Sequence, residues 1–266
     1  MAVFLSVKEL LSGAESAGLE LWEYVLRASA DETGISTEHS WAQMAARLEA
    51  MKKADASYGA GMRSHSGLTG GDGAKMDAYA ASGVGICGEF IDGILAAALR
   101  MGECNACMHC IVAAPTAGAC GVLPAVLLPY GRRYDLPDDA LIKALYVASG
   151  FGAVIAQRAS ISGAEAGCQA EIGTAAAMAA AALVFLHGGS AVQMANAAAM
   201  ALKNMMGLVC DPVAGLVEVP CIKRNAAGAM NALCAAEMAL AGIESRIPPD
   251  EVIDAMAAVG AALPSS

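Results

Sequence analysis

Aromatic residues are scarce in this chain, at 5% of 266 positions, and the β-branched residues that strands also prefer are sparse beside them. Alanine approaches a quarter of the sequence, and with Leu and Met it ranks high in helix propensity. Sheet is disfavoured on both counts. The expected class is all-α, a single large helical domain of closely packed Ala- and Gly-rich helices with functional loops. An unbroken apolar run of the ~18 residues that a membrane span needs is also missing, despite a mean hydropathy of +0.52. Ala175–Leu186 halts at His187-Gly188-Gly189, and Ile111–Leu128 is broken by Pro115, Gly118, Gly121 and Pro124. The N-terminal stretch has no basic leader, and Lys8 and Glu9 fall where a signal peptide carries its apolar segment. The expectation is a soluble, cytoplasmic chain with no membrane partner.

Positive charge is short as well. Sixteen basic residues face 26 acidic ones, for a net charge of −10, and no basic cluster is longer than Arg132-Arg133 or Lys223-Arg224. A nucleic-acid partner is therefore not expected. Four histidines, at 39, 65, 109 and 187, leave few candidate bases. Cysteine, by contrast, is plentiful, with nine residues at 87, 104, 107, 110, 120, 168, 210, 221 and 234. In a reducing compartment such thiols serve as core residues, metal ligands or catalytic groups more often than as disulfides.

Periodicity places the helices. The first sixty residues read as two amphipathic helices, the second capped by Ser36-Thr37-Glu38 and carrying Trp41, Met44, Leu48 and Met51 on one face. Helical spacing resumes over Ala74–Arg100 with interruptions at Gly83 and Gly85. Leu136-Pro137-Asp138-Asp139 starts a helix reaching about Arg158, its acids at the positive dipole end. Ala170–Leu186 and Ser190–Met206 read as a buried antiparallel hairpin. Ala226–Ala241 and a segment from Pro248 to about Leu263 complete the set. Irregular stretches remain at 58–73, 113–121, 160–169 and 207–225, and function is expected there.

Two groups of cysteines compete as a metal site. Cys104, Cys107 and Cys110 have the spacing that begins a ferredoxin motif, but Ala114 stands before Pro115 where that motif needs a fourth cysteine. Packed or partly exposed helix thiols are the favoured reading of these three. Cys168, Cys210 and Cys221 each lie beside Gly or Pro on irregular backbone, where ligand directions are free to converge. Spacing alone does not choose between the groups.

The segments Ser66-Gly67-Leu68-Thr69-Gly70-Gly71-Asp72, Ala114-Pro115-Thr116-Ala117-Gly118, Ser160–Glu171 and Leu202–Cys221 occur in this order. Together they resemble the α subunit of bacterial iron–sulfur L-serine dehydratases, over a match running from about Leu68 to Ala258. The resemblance implies a [4Fe-4S] cluster held by Cys168, Cys210 and Cys221, with one iron open to substrate. It implies that L-serine loses water to give pyruvate and ammonia, and that a separate β subunit completes a hetero- or homo-oligomer. It also divides the chain into N-terminal helices at 1–60 and an iron–sulfur catalytic domain at 61–266, packed as one unit. His109 stands where the family usually has Gly.

The residues expected around the substrate are Ser66, Thr69, Thr116, Gly118, Ser162, Gly163, Lys223 and Asn225, with Arg224 offsetting cluster charge. The candidate base is His65, unless a partner subunit supplies one. The Gly-rich loop at 67–73 lacks the Lys-Ser/Thr of a nucleotide loop, so no nucleotide is expected. Three alternatives stay open: an iron–sulfur L-cysteine desulfidase, a non-catalytic metal-binding or assembly module, and a pyridoxal phosphate dehydratase.

Overall fold

The computed structural model describes residues 4–263; Met1–Val3 and Pro264–Ser266 lie outside it. Among the described residues there are eleven α-helices, one 3-10 turn at Val213–Gly215 and no strand, an all-α fold. The first sixty residues hold three helices rather than two: α1 (Val7–Ala17), α2 (Leu21–Thr33) and α3 (Thr37–Ala56). Gly18 explains the extra break, because it ends α1 at φ 64°, in the left-handed conformation that glycine adopts without a Cβ penalty. Ser36 caps α3, accepting from the His39 amide at 3.2 Å, a bond of about 1 kcal/mol.

Next come α4 (Asp72–Ala81), α5 (Glu89–Ala106), α6 (Val122–Arg133) and α7 (Asp138–Arg158). The proline-rich part of 111–128 contains the start of α6, a helix that the prolines hide in the sequence. Pro124 sits in its first turn, where a missing N–H costs nothing, and Pro129 is accommodated within it. The remaining helices are α8 (Gly163–Leu186), α9 (Ala191–Asn204), α10 (Cys221–Leu240) and α11 (Pro249–Ala262).

Helix α8 is the axis of the molecule, packed against α6, α7, α9, α10 and α11. Its alanines at 175–177 and 179–182 are completely buried. Small side chains let neighbouring helices approach closely. Gly228 of α10 shows how closely: a Cβ there would lie 2.8 Å from Ile172 and 3.0 Å from Val122. Both α7 and α8 are long and apolar enough to cross a membrane, but 72% and 83% of their apolar windows are buried, as in the core of a soluble protein.

The N-terminal helices pack onto this core, α2 and α3 against α7. Asp250, in the first turn of α11, accepts from the Val7 and Lys8 amides at 2.7 and 3.2 Å and so caps α1. Arg158 of α7 reaches Asp254 and the Leu5 carbonyl at the same corner.

Candidate functional site

Two helix starts set the stage. Within α8 the backbone leaves helical geometry at Ala166 and Gly167, the latter at φ 79° and ψ 168°. Only glycine suits this position, because a Cβ would also lie 2.6 Å from the Leu208 carbonyl oxygen. The regular part of α8 therefore begins at Cys168. Cys221 is likewise the first residue of α10, which corrects the expectation of a loop extending to 225. Both thiols thus stand at positive dipole ends, a placement that favours thiolate. Burial opposes it. Burial pushes Cys168 up to about 11 although Arg224 pulls the other way, and it raises Cys221, with Glu171 and Cys210 adding to the effect.

The segment carrying Cys210 runs back across the start of α8. The Gln169 amide donates to the Leu208 carbonyl at 3.0 Å, and Gln169 Oε1 accepts from the Gly207 amide at 2.8 Å. Arg224, one turn into α10, completes the junction. Its Nη1 donates to Cys168 Sγ at 3.1 Å and to the Val209 carbonyl at 3.0 Å, and it pairs with Asp211. Cys210 is half-buried among these groups and is an electrostatic neighbour of both Cys168 and Cys221. Three cysteines distant in sequence are thus gathered at one junction. Among the described residues, no three His, Cys, Asp or Glu side chains close around a single metal ion.

A second cluster adjoins this junction. Glu171, one turn beyond Cys168, accepts a hydrogen bond from the Thr116 hydroxyl. A Cβ added at Gly118 would lie 2.5 Å from Glu171 Oε1, and one at Gly163 would lie 2.7 Å from Oε2. Thr116, Gly118 and Gly163 therefore do meet, around a carboxylate that spacing gave no reason to select. Ser162 is the N-cap residue of α8, and its amide donates to Ser160 Oγ at 3.1 Å. Asn225 is 1% exposed and works as a strut: Nδ2 donates to the Gly118 and Cys221 carbonyls at 2.7 and 2.9 Å, and Oδ1 accepts from the Gly121 amide at 2.8 Å.

The Gly-rich loop is fastened by a further carboxylate. Glu218 Oε2 accepts from the hydroxyls of Ser64, Ser66 and Thr69 at 2.7, 2.8 and 3.1 Å, so the hydroxyls of Ser66 and Thr69 face Glu218. Burial pushes the Glu218 carboxyl up, but the three hydroxyls outweigh it and hold the group below the usual range. His65 lies exposed between two of these anchors and has no hydrogen-bond partner among the described residues. Lys223 pairs with Asp72 at 2.8 Å and, with Lys75, draws that carboxyl down to about 2.

The other histidines and cysteines are elsewhere. His39 is in α3, and His187 shares a 2.9 Å hydrogen bond with Tyr130. Cys104 is fully buried beside the Ala54 carbonyl, whereas Cys107 ends α5 and Cys110 is exposed. Two cavities, of about 500 and 410 Å³, contain none of the three junction cysteines. The smaller is lined in part by Ala114, Pro115 and Ile161, sequence neighbours of Thr116 and Ser162.

The model of the family described as "Serine dehydratase alpha chain" matches residues 16–266, a longer span than the motifs alone mark out. The chain is 46% identical over 264 residues to the probable L-serine dehydratase alpha chain of Bacillus subtilis, covering 99% of this chain and 88% of that one. It is 48% identical over 182 residues to the L-serine dehydratase alpha chain of Peptoniphilus asaccharolyticus, covering 68% of this chain and 62% of the relative. The L-serine dehydratase of Mycobacterium tuberculosis is matched at 49% over 170 residues, 62% of this chain but only 37% of that protein. With a match that reaches from the N-terminal helices to the C-terminal one, the chain belongs to the serine dehydratase alpha chain family.

Proposed function

We propose that this chain is the α subunit of an L-serine dehydratase, a lyase that eliminates water from L-serine to give pyruvate and ammonia. In this reading Cys168, Cys210 and Cys221 would hold a [4Fe-4S] cluster through their thiolates. The donor set suits such a group: soft thiolates from three backbone segments that approach one another without closing on one ion. When bound, the cluster supplies a Lewis-acidic iron that assists departure of the β-hydroxyl and, through the carboxylate, acidifies Cα–H.

The chain's own residues prepare that chemistry. Arg224 brings positive charge to Cys168 and holds the Cys210 segment in place. Asn225 fixes the Thr116–Gly118 loop against the start of α10. Glu218 anchors the loop carrying His65, the candidate to remove the α-proton. That imidazole is exposed. A β subunit packed over the loop would either enclose it or bring a base of its own. The observation that carries the reading is the junction at Arg224, set in a chain whose relatives are named L-serine dehydratases.

The test is anaerobic co-purification with the β subunit, followed by assays for pyruvate from L-serine and sulfide from L-cysteine. Turnover of L-serine in preference to L-cysteine supports the proposal. Preferential sulfide release would make the enzyme a desulfidase. A filled metal site with no turnover of either would make it a binding module, and a pyridoxal absorption band would point to a different lyase chemistry.

A further inference from the structure

Glu171, beside the junction, has neither an ionic counterpart nor more than one hydrogen-bond donor among the described residues. Asp211 has Arg224, Asp72 has Lys223 and Lys75, and Glu218 has three hydroxyls. Glu171 has only the Thr116 hydroxyl, and among the described residues no Lys, Arg or His lies within ion-pair distance. The nearby guanidinium of Arg224 is already committed to Cys168, Val209 and Asp211. Its surroundings are unfavourable for an unpaired anion, because Cys120, Cys168 and Cys221 all feel it as a charge that discourages their own ionisation. A half-buried carboxylate among prospective thiolates calls for a cation.

The shape of the site says what kind. The backbone at Gly118 and Gly163 lies so close to the carboxylate that neither position has room for a Cβ. Thr116 fixes one oxygen and leaves the group's remaining acceptor capacity unused. The two glycines crowd the carboxylate on their sides and exclude a bulky cation there, while its partial exposure leaves an approach for a small one, and an amino-acid substrate carries an ammonium. Building on the function proposed above, we propose that Glu171 is the residue that receives the α-ammonium of the substrate. Held there, the ammonium has its charge balanced in both ground state and transition state, so Glu171 contributes to binding and orientation. Glu171 thereby selects 3-hydroxy-2-amino acids over otherwise identical acids without the amine.

The experiment uses the assembled α–β enzyme with its cluster, wild type against Glu171→Gln, with L-alanine and 3-hydroxypropanoate as probes. L-alanine keeps the ammonium and carboxylate of serine, and 3-hydroxypropanoate keeps the hydroxyl and carboxylate. In E171Q the KM for L-serine should rise roughly ten- to a hundredfold, the worth of one charged hydrogen bond, with kcat within a few-fold. Inhibition by L-alanine should weaken by the same factor while inhibition by 3-hydroxypropanoate stays unchanged, and calorimetric titration should show the same split. Equal weakening of both probes, or an unchanged response to L-alanine, would overturn the assignment. If E171Q fails to assemble, Thr116→Val should shift the same ratio in the same direction, and an unshifted ratio counts against the proposal. Should the wild-type enzyme not act on L-serine, the lyase reading fails by itself, while the two-probe titration still tests Glu171.

Discussion

Replacing Glu218 by Ala should release the Gly-rich loop from the junction. One oxygen, Oε2, accepts from Ser64, Ser66 and Thr69 at 2.7, 2.8 and 3.1 Å, and Glu218 is 6% exposed. A hydrogen bond to a charged group contributes about 1.5–3 kcal/mol. Three bonds sharing one acceptor are not additive, and Ser66 lies at the wet edge, so about 3–5 kcal/mol of local stability is at stake. The loop's own backbone bonds, Ser64 N to Thr69 O and Gly67 N to Ser64 O, both 3.0 Å, report its opening. Hydrogen exchange at Ser64 and Gly67 should accelerate by roughly 100- to 4,000-fold in E218A. Glu218→Gln keeps an acceptor and should give a smaller effect, roughly tenfold. Acid should mimic the alanine variant. The folded carboxyl sits below its ordinary value, so its contribution is complete above the unfolded pKa of about 4.3 and is lost as pH falls through the folded value. Exchange at Ser64 and Gly67 that stays within threefold of wild type in E218A would refute the anchoring argument.

Two further outcomes follow from the same geometry. Arg224→Gln should detach the segment at 207–211 from Cys168, speeding exchange of the Gln169 amide about tenfold or more, and Arg224→Lys should not rescue it, because an ammonium cannot span Cys168, Val209 and Asp211 at once; rescue by Lys would show that charge alone suffices. Burial raises Cys104 and Cys168 to about 11 and Cys120 to about 12, so the folded chain without cluster holds these protons where the unfolded chain has lost them. Its stability should therefore be complete below about pH 8.5 and decline through pH 11, seen as a falling Tm over that window. A flat Tm would contradict the burial of these thiols.

The helical class was legible from composition, and most helices from periodicity, because alanine-rich stripes and caps such as Ser36 and Ser190 are local signals. Local signals also explain the failures. Gly18 separates α1 from α2 with a left-handed residue inside a pattern that reads as continuous. Of the two prolines that break the apolar run at 111–128, Pro115 precedes α6 and Pro124 lies in its first turn, which tolerates it. In the site, motif order selected Cys168, Cys210 and Cys221, but the roles of Glu171 and Glu218 depend on partners far away in sequence: Thr116 for one, Ser64 and Thr69 for the other. A serine or threonine in a loop gives no sign of which carboxylate it will meet. Asn225 illustrates the same limit. Its place beside Cys221 was visible, yet its burial and its three backbone bonds make it a strut between loops.

Cys168, Cys210 and Cys221 are proposed to hold one iron–sulfur cluster jointly. Anaerobic reconstitution followed by iron and sulfide quantitation tests this most directly, comparing wild type with each cysteine replaced singly by alanine and with Cys107→Ala as control. About four iron and four sulfide per wild-type chain are expected, with loss of most of both in each of the three variants and full retention in C107A. Retention in any of the three, or loss in C107A, would contradict the joint assignment.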